Sequence, residues 1–150
     1  RLLLEKGADS NQAMKSGVTP AFMAAQNGHL EVLRLLVEKG ADVNKAAIDG
    51  ETPAYAAAEN GHLEVLRLLV EKGNADVNQA DVDGTTPAFI AAQENHLEVL
   101  ALLVEKGANV TKAAEDGATP ALVATQNGHV EVLRLLVEKG ANANQASNKG

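Results

Sequence analysis

The fold of this chain is decided by residues 19–40, which read TPAFMAAQNGHLEVLRLLVEKG. Thr19 is a good N-cap, and Pro20 suits the first helical position, where its missing N–H has no role. A short helix is therefore predicted from Pro20 to the turn at Gly28, and a second helix from there to a C-terminal turn at Gly40. Each helix has about three turns or fewer, so neither is stable alone in water and the unit must pack against neighbours.

The same stretch returns three times along the chain. All four prolines follow a threonine at intervals of 33, 34 and 33 residues, and the four histidines keep the same intervals. A fixed period of about 20 to 50 residues is typical of a protein built from stacked repeats. The period also explains a composition with 45% hydrophobic but only 2% aromatic residues, because alanine and leucine supply the apolar surface of the short helices.

Composition excludes several function classes. There is no cysteine, which rules out a disulfide framework and a cysteine-based zinc site. The net charge is -7 and no basic run occurs, which argues against nucleic acid as a partner. The apolar stretches are too short to span a bilayer, and no targeting segment is visible. We therefore expect an intracellular protein, most simply a cytoplasmic one, with no membrane partner.

The run D-G-x-T-P-x-x-x-A-A, followed by G-H-L-E-V-L and then G-A-D-V-N, is similar to the ankyrin repeat. The resemblance implies an all-α solenoid of helix-turn-helix units joined by β-hairpins or turns, stacked into a curve with the hairpin tips on one side. It predicts a single domain over residues 1–150. A partial repeat occupies 1–15, full repeats occupy 16–48, 49–82, 83–115 and 116–148, and residues 149–150 begin the next.

The chain departs from the family in four places. The family's usual T-P-L-H is T-P-A followed by Phe22, Tyr55, Phe89 or Leu122, so each threonine loses a histidine partner. We interpret this as a coupled exchange of side-chain sizes at roughly conserved volume. Asn74 is an extra residue that should bulge one junction, Asn95 replaces the glycine before a histidine, and Thr111 replaces the asparagine that closes the hairpin.

Neither the histidines nor the acids predict catalysis. Packed helices lie about 8–10 Å apart, whereas two ligands of one zinc ion bring their nitrogens within about 3–4 Å. Histidines in successive repeats are therefore expected to hold the turn between helices. Carboxylates at exposed tips lack the cleft that acid–base chemistry needs. We predict no catalytic residue, cofactor or metal site, and no enzyme activity.

The repeats keep their second helix nearly constant and vary elsewhere. The hairpin tips differ freely, and so do positions on one face of the first helix, where residues three and four apart align. In ankyrin proteins these elements line a concave surface that grips partners. The predicted partner-binding residues are Met23, Gln26, Asn27, Ile48, Asp49, Glu51, Glu59, Asn60, Val82, Asp83, Thr85, Ile90, Gln93, Glu94, Glu115, Asp116, Val123, Gln126 and Asn127.

Two functions follow from these observations. The first is a protein–protein interaction module that binds a protein partner through the concave surface of tips and first helices, as a fragment of a longer ankyrin array. The alternative is a structural or self-associating scaffold, natural or engineered, with no dedicated partner. Neither end carries the polar capping repeat that such stacks need, so the second hypothesis expects head-to-tail contacts between uncapped ends.

Overall fold

A computed structural model describes residues 7–142 of the chain. Within that range eight helices follow one another as four pairs. The pairs are α1 Pro20–Asn27 with α2 Leu30–Glu38, α3 Pro53–Glu59 with α4 Leu63–Glu71, α5 Pro87–Gln93 with α6 Leu97–Glu105, and α7 Pro120–Gln126 with α8 Val130–Glu138. This confirms the predicted all-α solenoid of stacked helix pairs.

Each first helix begins at a buried threonine. The Thr19 hydroxyl oxygen accepts a hydrogen bond from the Phe22 backbone N–H at 3.1 Å, and the other three repeats have the same cap at 3.1 to 3.2 Å. All four threonines are at most 3% exposed. Each threonine, although it lacks the histidine found in the family motif, therefore accepts a hydrogen bond from a backbone N–H of the first helical turn that no carbonyl of the helix could accept. These caps set where each tip ends and each first helix begins.

The core runs along the stack between the two rows of helices. First helices pack on first helices and second helices on second helices. The second helices contribute leucines that are fully buried, such as Leu33, Leu66 and Leu100. The first helices contribute alanines, whose small side chains let neighbouring helices approach closely. The core thus consists mainly of leucine, valine and alanine, as the composition indicated.

A ladder of asparagine side chains ties the junctions between repeats. Asn44 accepts from the Asp76 backbone N–H at 2.7 Å, and Asn78 accepts from the Asn109 N–H at 2.8 Å. Thr111, at the equivalent position, donates its hydroxyl hydrogen to the Asn109 side chain at 2.8 Å, within its own loop.

The inserted Asn74 leaves the asparagine hydrogen bonds between repeats in place. It adopts a left-handed conformation with φ 58°, and its carbonyl accepts from the Asn44 side-chain amide at 3.1 Å. One repeat later the Gly107 carbonyl accepts the equivalent bond from Asn78 at 3.3 Å. The insertion also changes the turn before it, because Gly73 lacks the positive φ that Gly40, Gly107 and Gly140 adopt. Asn95 is also left-handed, with φ 63°, so the turn survives without its glycine.

The tips are tight turns, and residues 7–142 contain no β-strand. In one tip the Gly50 N–H donates to the Ala47 carbonyl at 2.9 Å, and the Ala47 N–H donates to the Glu51 carbonyl at 2.8 Å. Successive tips are joined by single backbone bonds, such as Val82 N–H to the Asp49 carbonyl at 2.9 Å. One bond per junction is too few for a strand ladder, but it fixes the spacing of the tips.

The ends of the chain lie outside the described residues. Residues 1–6 of the partial repeat 1–15 and the start of the next repeat at 149–150 fall there. The exact boundaries of the repeats stay predictions.

Candidate protein-binding face

The histidines connect each repeat to the one before it. His62, His96 and His129 each place Nε2 2.9 to 3.1 Å from a backbone carbonyl of the preceding first helix, at Gln26, Glu59 and Gln93. Because a carbonyl oxygen only accepts, Nε2 carries the proton in these bonds. These contacts confirm that three histidines hold the turns between helices. Within residues 7–142 no three His, Asp or Glu side chains converge as metal ligands.

The tips and first helices together form one surface, which we call the tip face. It consists of residues 13–28, 46–60, 79–95 and 113–128. Between the third and fourth repeats it contains a cleft of 680 Å³, lined by Asp83, Thr85, Phe89, Gln93, Ala114, Glu115, Asp116, Ala118, Val123 and Gln126. A second depression of 530 Å³ adjoins it, because Gln93, Val123 and Gln126 line both. The groove thus extends from the tips toward His129.

Most of the residues predicted to bind a partner reach solvent. Twelve are exposed: Met23, Gln26, Asn27, Ile48, Asp49, Asn60, Val82, Asp83, Glu94, Glu115, Gln126 and Asn127. Five are partly buried: Glu51, Glu59, Thr85, Gln93 and Asp116. Seven of the predicted residues meet in the 680 Å³ cleft: Asp83, Thr85, Gln93, Glu115, Asp116, Val123 and Gln126.

Two residues of the first helices that were predicted to bind a partner, Ile90 and Val123, are buried. Ile90 is 4% exposed and Val123 is 8% exposed, whereas Met23 at the equivalent position is 44% exposed. Adjacent first helices pack side by side, so a side chain that points between them is covered by the neighbouring repeat. Val123 still lines the cleft, but Ile90 belongs to the core.

The carboxylates of the second and third repeats lie in one electrostatic environment. Burial, together with the charges of Asp49, Glu59 and Asp81, raises the pKa of Glu51 to about 7. Burial also raises the pKa of Glu59, with Glu94 of the next repeat as the largest charge contribution. Acids from two repeats therefore face the same space, and each disfavours ionisation of the others.

Tyr55 lies beneath these acids. Burial raises the pKa of its hydroxyl to about 12, and the charges of Asp81, Glu51 and Glu59 act in the same direction. The Tyr55 hydroxyl lies 3.4 Å from the Thr85 hydroxyl, which donates to the Asp81 carboxylate at 2.6 Å. Tyr55 is thus neutral at physiological pH and carries a polar tip among carboxylates.

Sequence reasoning missed several residues of this face. Phe89, Ala114 and Ala118 line the cleft, and the pKa of Tyr55 is affected by the charges of Asp81, Glu51 and Glu59. Phe89 and Tyr55 occupy the repeat position that is aromatic in three of the four units. That pattern could have marked them as the base of the tip face, because the position lies three residues after the capping threonine at the end of the tip.

Stacked helix pairs, threonine-capped first helices and tips on one side define a helical-repeat solenoid with a variable face. The family model for ankyrin repeats (three copies) matches residues 1–47, 45–114 and 74–147, and the chain belongs to this family. No curated protein matches the chain. Ankyrin repeats are in general protein–protein interaction modules, and their fold is typically a scaffold without enzyme activity. None of the helices between residues 7 and 142 has the length and apolar character to cross a membrane.

Proposed function

We propose that this chain binds a protein partner through the tip face. The observation that carries the proposal is the contrast between constant and variable positions. Residues 27–40 and 60–73 are identical, and residues 127–140 differ from them only at Val130. The tips vary in every repeat, and their variable side chains reach solvent side by side. A constant frame that presents a changing surface suits recognition.

The chemistry of the tips supports a protein partner. Ile48 is 80% exposed and Val82 is 59% exposed, at equivalent positions of neighbouring tips. Each precedes an aspartate, Asp49 or Asp83, which is also exposed. Apolar side chains interleaved with charges form a surface that buries apolar area on binding and orients the partner through polar contacts.

Photo-cross-linking tests this proposal directly. A photo-reactive phenylalanine analogue replaces Val82 on the tip face in one variant and Val32 on α2 in the control, where Val32 is 53% exposed. We expect protein adducts from position 82 and few from position 32 when cells containing each variant are irradiated. Equal adducts from both positions, or none from position 82, would contradict binding through the tip face.

The remaining parts of the functional prediction are proposals of the same kind. An intracellular location and membership of a longer array stay predictions. The self-association alternative concerns the two ends, residues 1–6 and 143–150, which lie outside the described residues.

A further inference from the structure

Within residues 7–142 the chain concentrates its excess negative charge on the tip face. Eight of its 20 acidic residues lie there, against one of its 13 basic residues, Lys15. Outside the tip face, residues 7–142 contain 11 acidic and 9 basic residues, and two of those bases, Lys45 and Lys112, directly precede tips. The eight acids are Asp49, Glu51, Glu59, Asp81, Asp83, Glu94, Glu115 and Asp116.

The ion pairs among the described residues lie on the side of the second helices. They join second helices or lie within one, for example Arg34 with Glu31 at 3.4 Å and Lys106 with Glu71 at 3.2 Å. None of the eight tip-face acids is paired with a base within residues 7–142. Their charges are therefore not neutralised by ion pairs within the described residues.

The acids form a continuous strip across three repeats. Glu51 is affected by the charge of Asp81 in the following tip, and Glu59 by that of Glu94 in the following helix turn. Asp83, Glu115 and Asp116 continue the strip into the 680 Å³ cleft. A partner with complementary charge can thus meet acids of the second, third and fourth repeats together.

The same surface offers apolar contacts beside the acids. Phe89 and Val123 line the cleft between the third and fourth repeats. Val82 projects from the tip next to Asp83 and is 59% exposed. The surface therefore suits a segment that carries both cationic and apolar side chains, and it disfavours polyanions such as nucleic acid.

We propose that the tip face binds an extended, positively charged peptide segment with Lys or Arg at about every third position and an apolar side chain that enters the cleft. The spacing follows from geometry: packed helices lie about 8–10 Å apart, and an extended chain in the polyproline II conformation advances about 3.1 Å per residue and presents every third side chain on the same face. Three residues therefore span one repeat. This inference rests on the proposed function and specifies the chemistry of the partner.

Binding of synthetic peptides tests the inference. The probe is a fluorescein-labelled peptide of about twelve residues, enough for four repeats at that rise, with lysine at every third position, one leucine, and otherwise serine and glycine. One comparison peptide has the same composition with contiguous lysines, and another has glutamate in place of lysine. We expect the spaced peptide to bind most tightly in fluorescence anisotropy and to weaken as salt is raised. Equal affinity for the spaced and contiguous peptides would overturn the spacing, and equal affinity for the glutamate peptide would overturn the charge.

A pair of charge-matched variants locates the contact. The first carries Glu59→Gln, Asp83→Asn, Glu94→Gln and Glu115→Gln on the tip face. The control carries Glu31→Gln, Glu64→Gln, Glu98→Gln and Glu131→Gln at equivalent exposed positions of the four second helices. Each variant has four fewer negative charges. Exposed pairs are worth about twofold each in affinity, so we expect about tenfold weaker binding from the first variant and little change from the control. Equal weakening would show that only the total charge matters and would overturn the inference.

The two proposals fail in different ways. Cross-linking of a partner at position 82, without binding of the spaced cationic peptide, would refute the cationic segment and leave the proposed function in place. Absence of both results would refute both.

Discussion

The tip face depends on glycines whose surroundings differ, and a series of alanine substitutions tests that dependence. Gly50 and Gly84 occupy the same position in successive tips, with φ 86° and 78°. A Cβ at Gly50 would lie 2.8 Å from the Val82 nitrogen, whereas a Cβ at Gly84 would lie 3.2 Å from the Glu115 nitrogen. Gly107, in the turn after α6, has φ 93°, and a Cβ added there would have no atom within 4 Å.

The three substitutions share one penalty and differ in a second. Left-handed strain should reduce the free energy of unfolding by roughly 1–2 kcal/mol in each variant. Gly107→Ala should show this loss alone. Gly84→Ala requires a small backbone shift and should lose slightly more. Gly50→Ala overlaps the next tip, whose backbone cannot rotate away as a side chain could, and it disrupts the Val82–Asp49 bond of 2.9 Å. We expect a total loss of about 3 kcal/mol there.

Urea unfolding followed by circular dichroism measures these losses. The m-value should stay the same in all variants, so that shifts of the midpoint report changes in stability. The order of loss should be Gly50→Ala, then Gly84→Ala, then Gly107→Ala. Equal losses at the three positions would refute the reasoning, because they would show that contact between tips contributes nothing beyond backbone strain.

Four further substitutions test other parts of the structure. Thr86→Val removes a buried helix cap and should lower the free energy of unfolding by about 1–2 kcal/mol in urea titration, with unchanged stability as the contradicting result. Asn78→Ala removes both side-chain hydrogen bonds to the next repeat and should lower the free energy of unfolding by about 1–2 kcal/mol. The control Asn27→Ala, whose side-chain bond stays within α1, should lose less. Equal losses would argue against a stabilising asparagine ladder. Phe22→His puts a polar ring where the side chain is 4% exposed and should lower the melting temperature; an unchanged value would refute the coupled size exchange. Glu51 has a raised pKa of about 7 in the folded state, so its contribution to stability falls as pH rises from about 4.5 to about 7. Glu51→Gln lacks this loss, so its melting temperature relative to the unmodified protein should rise over that window, and a constant difference would contradict the raised pKa.

The local features of the fold were predictable because they depend on residues close in sequence. A threonine before proline caps a helix whatever lies beyond it, and all four caps form as predicted. Asn95 was expected to be left-handed for the same reason, since a single residue determines whether that turn is tolerated. The 33- to 34-residue period then indicated that these units stack.

The tertiary structure decided which of the equivalent residues are accessible. Met23, Ile90 and Val123 occupy one repeat position, yet their exposures are 44%, 4% and 8%, because burial depends on what the neighbouring repeat places against them. The carbonyl of the inserted Asn74 joins the asparagine ladder only because packing brings Asn44 to it.

The sequence by itself determined the repeat, its helices and the sign of its charge. Only the tertiary structure placed Asp81 close to Glu51 and opened a cleft between the third and fourth repeats. The physical reason is range: caps and turns are set by neighbours along the chain, whereas desolvation, mutual repulsion and cavity shape depend on residues about 30 positions apart that stacking brings together.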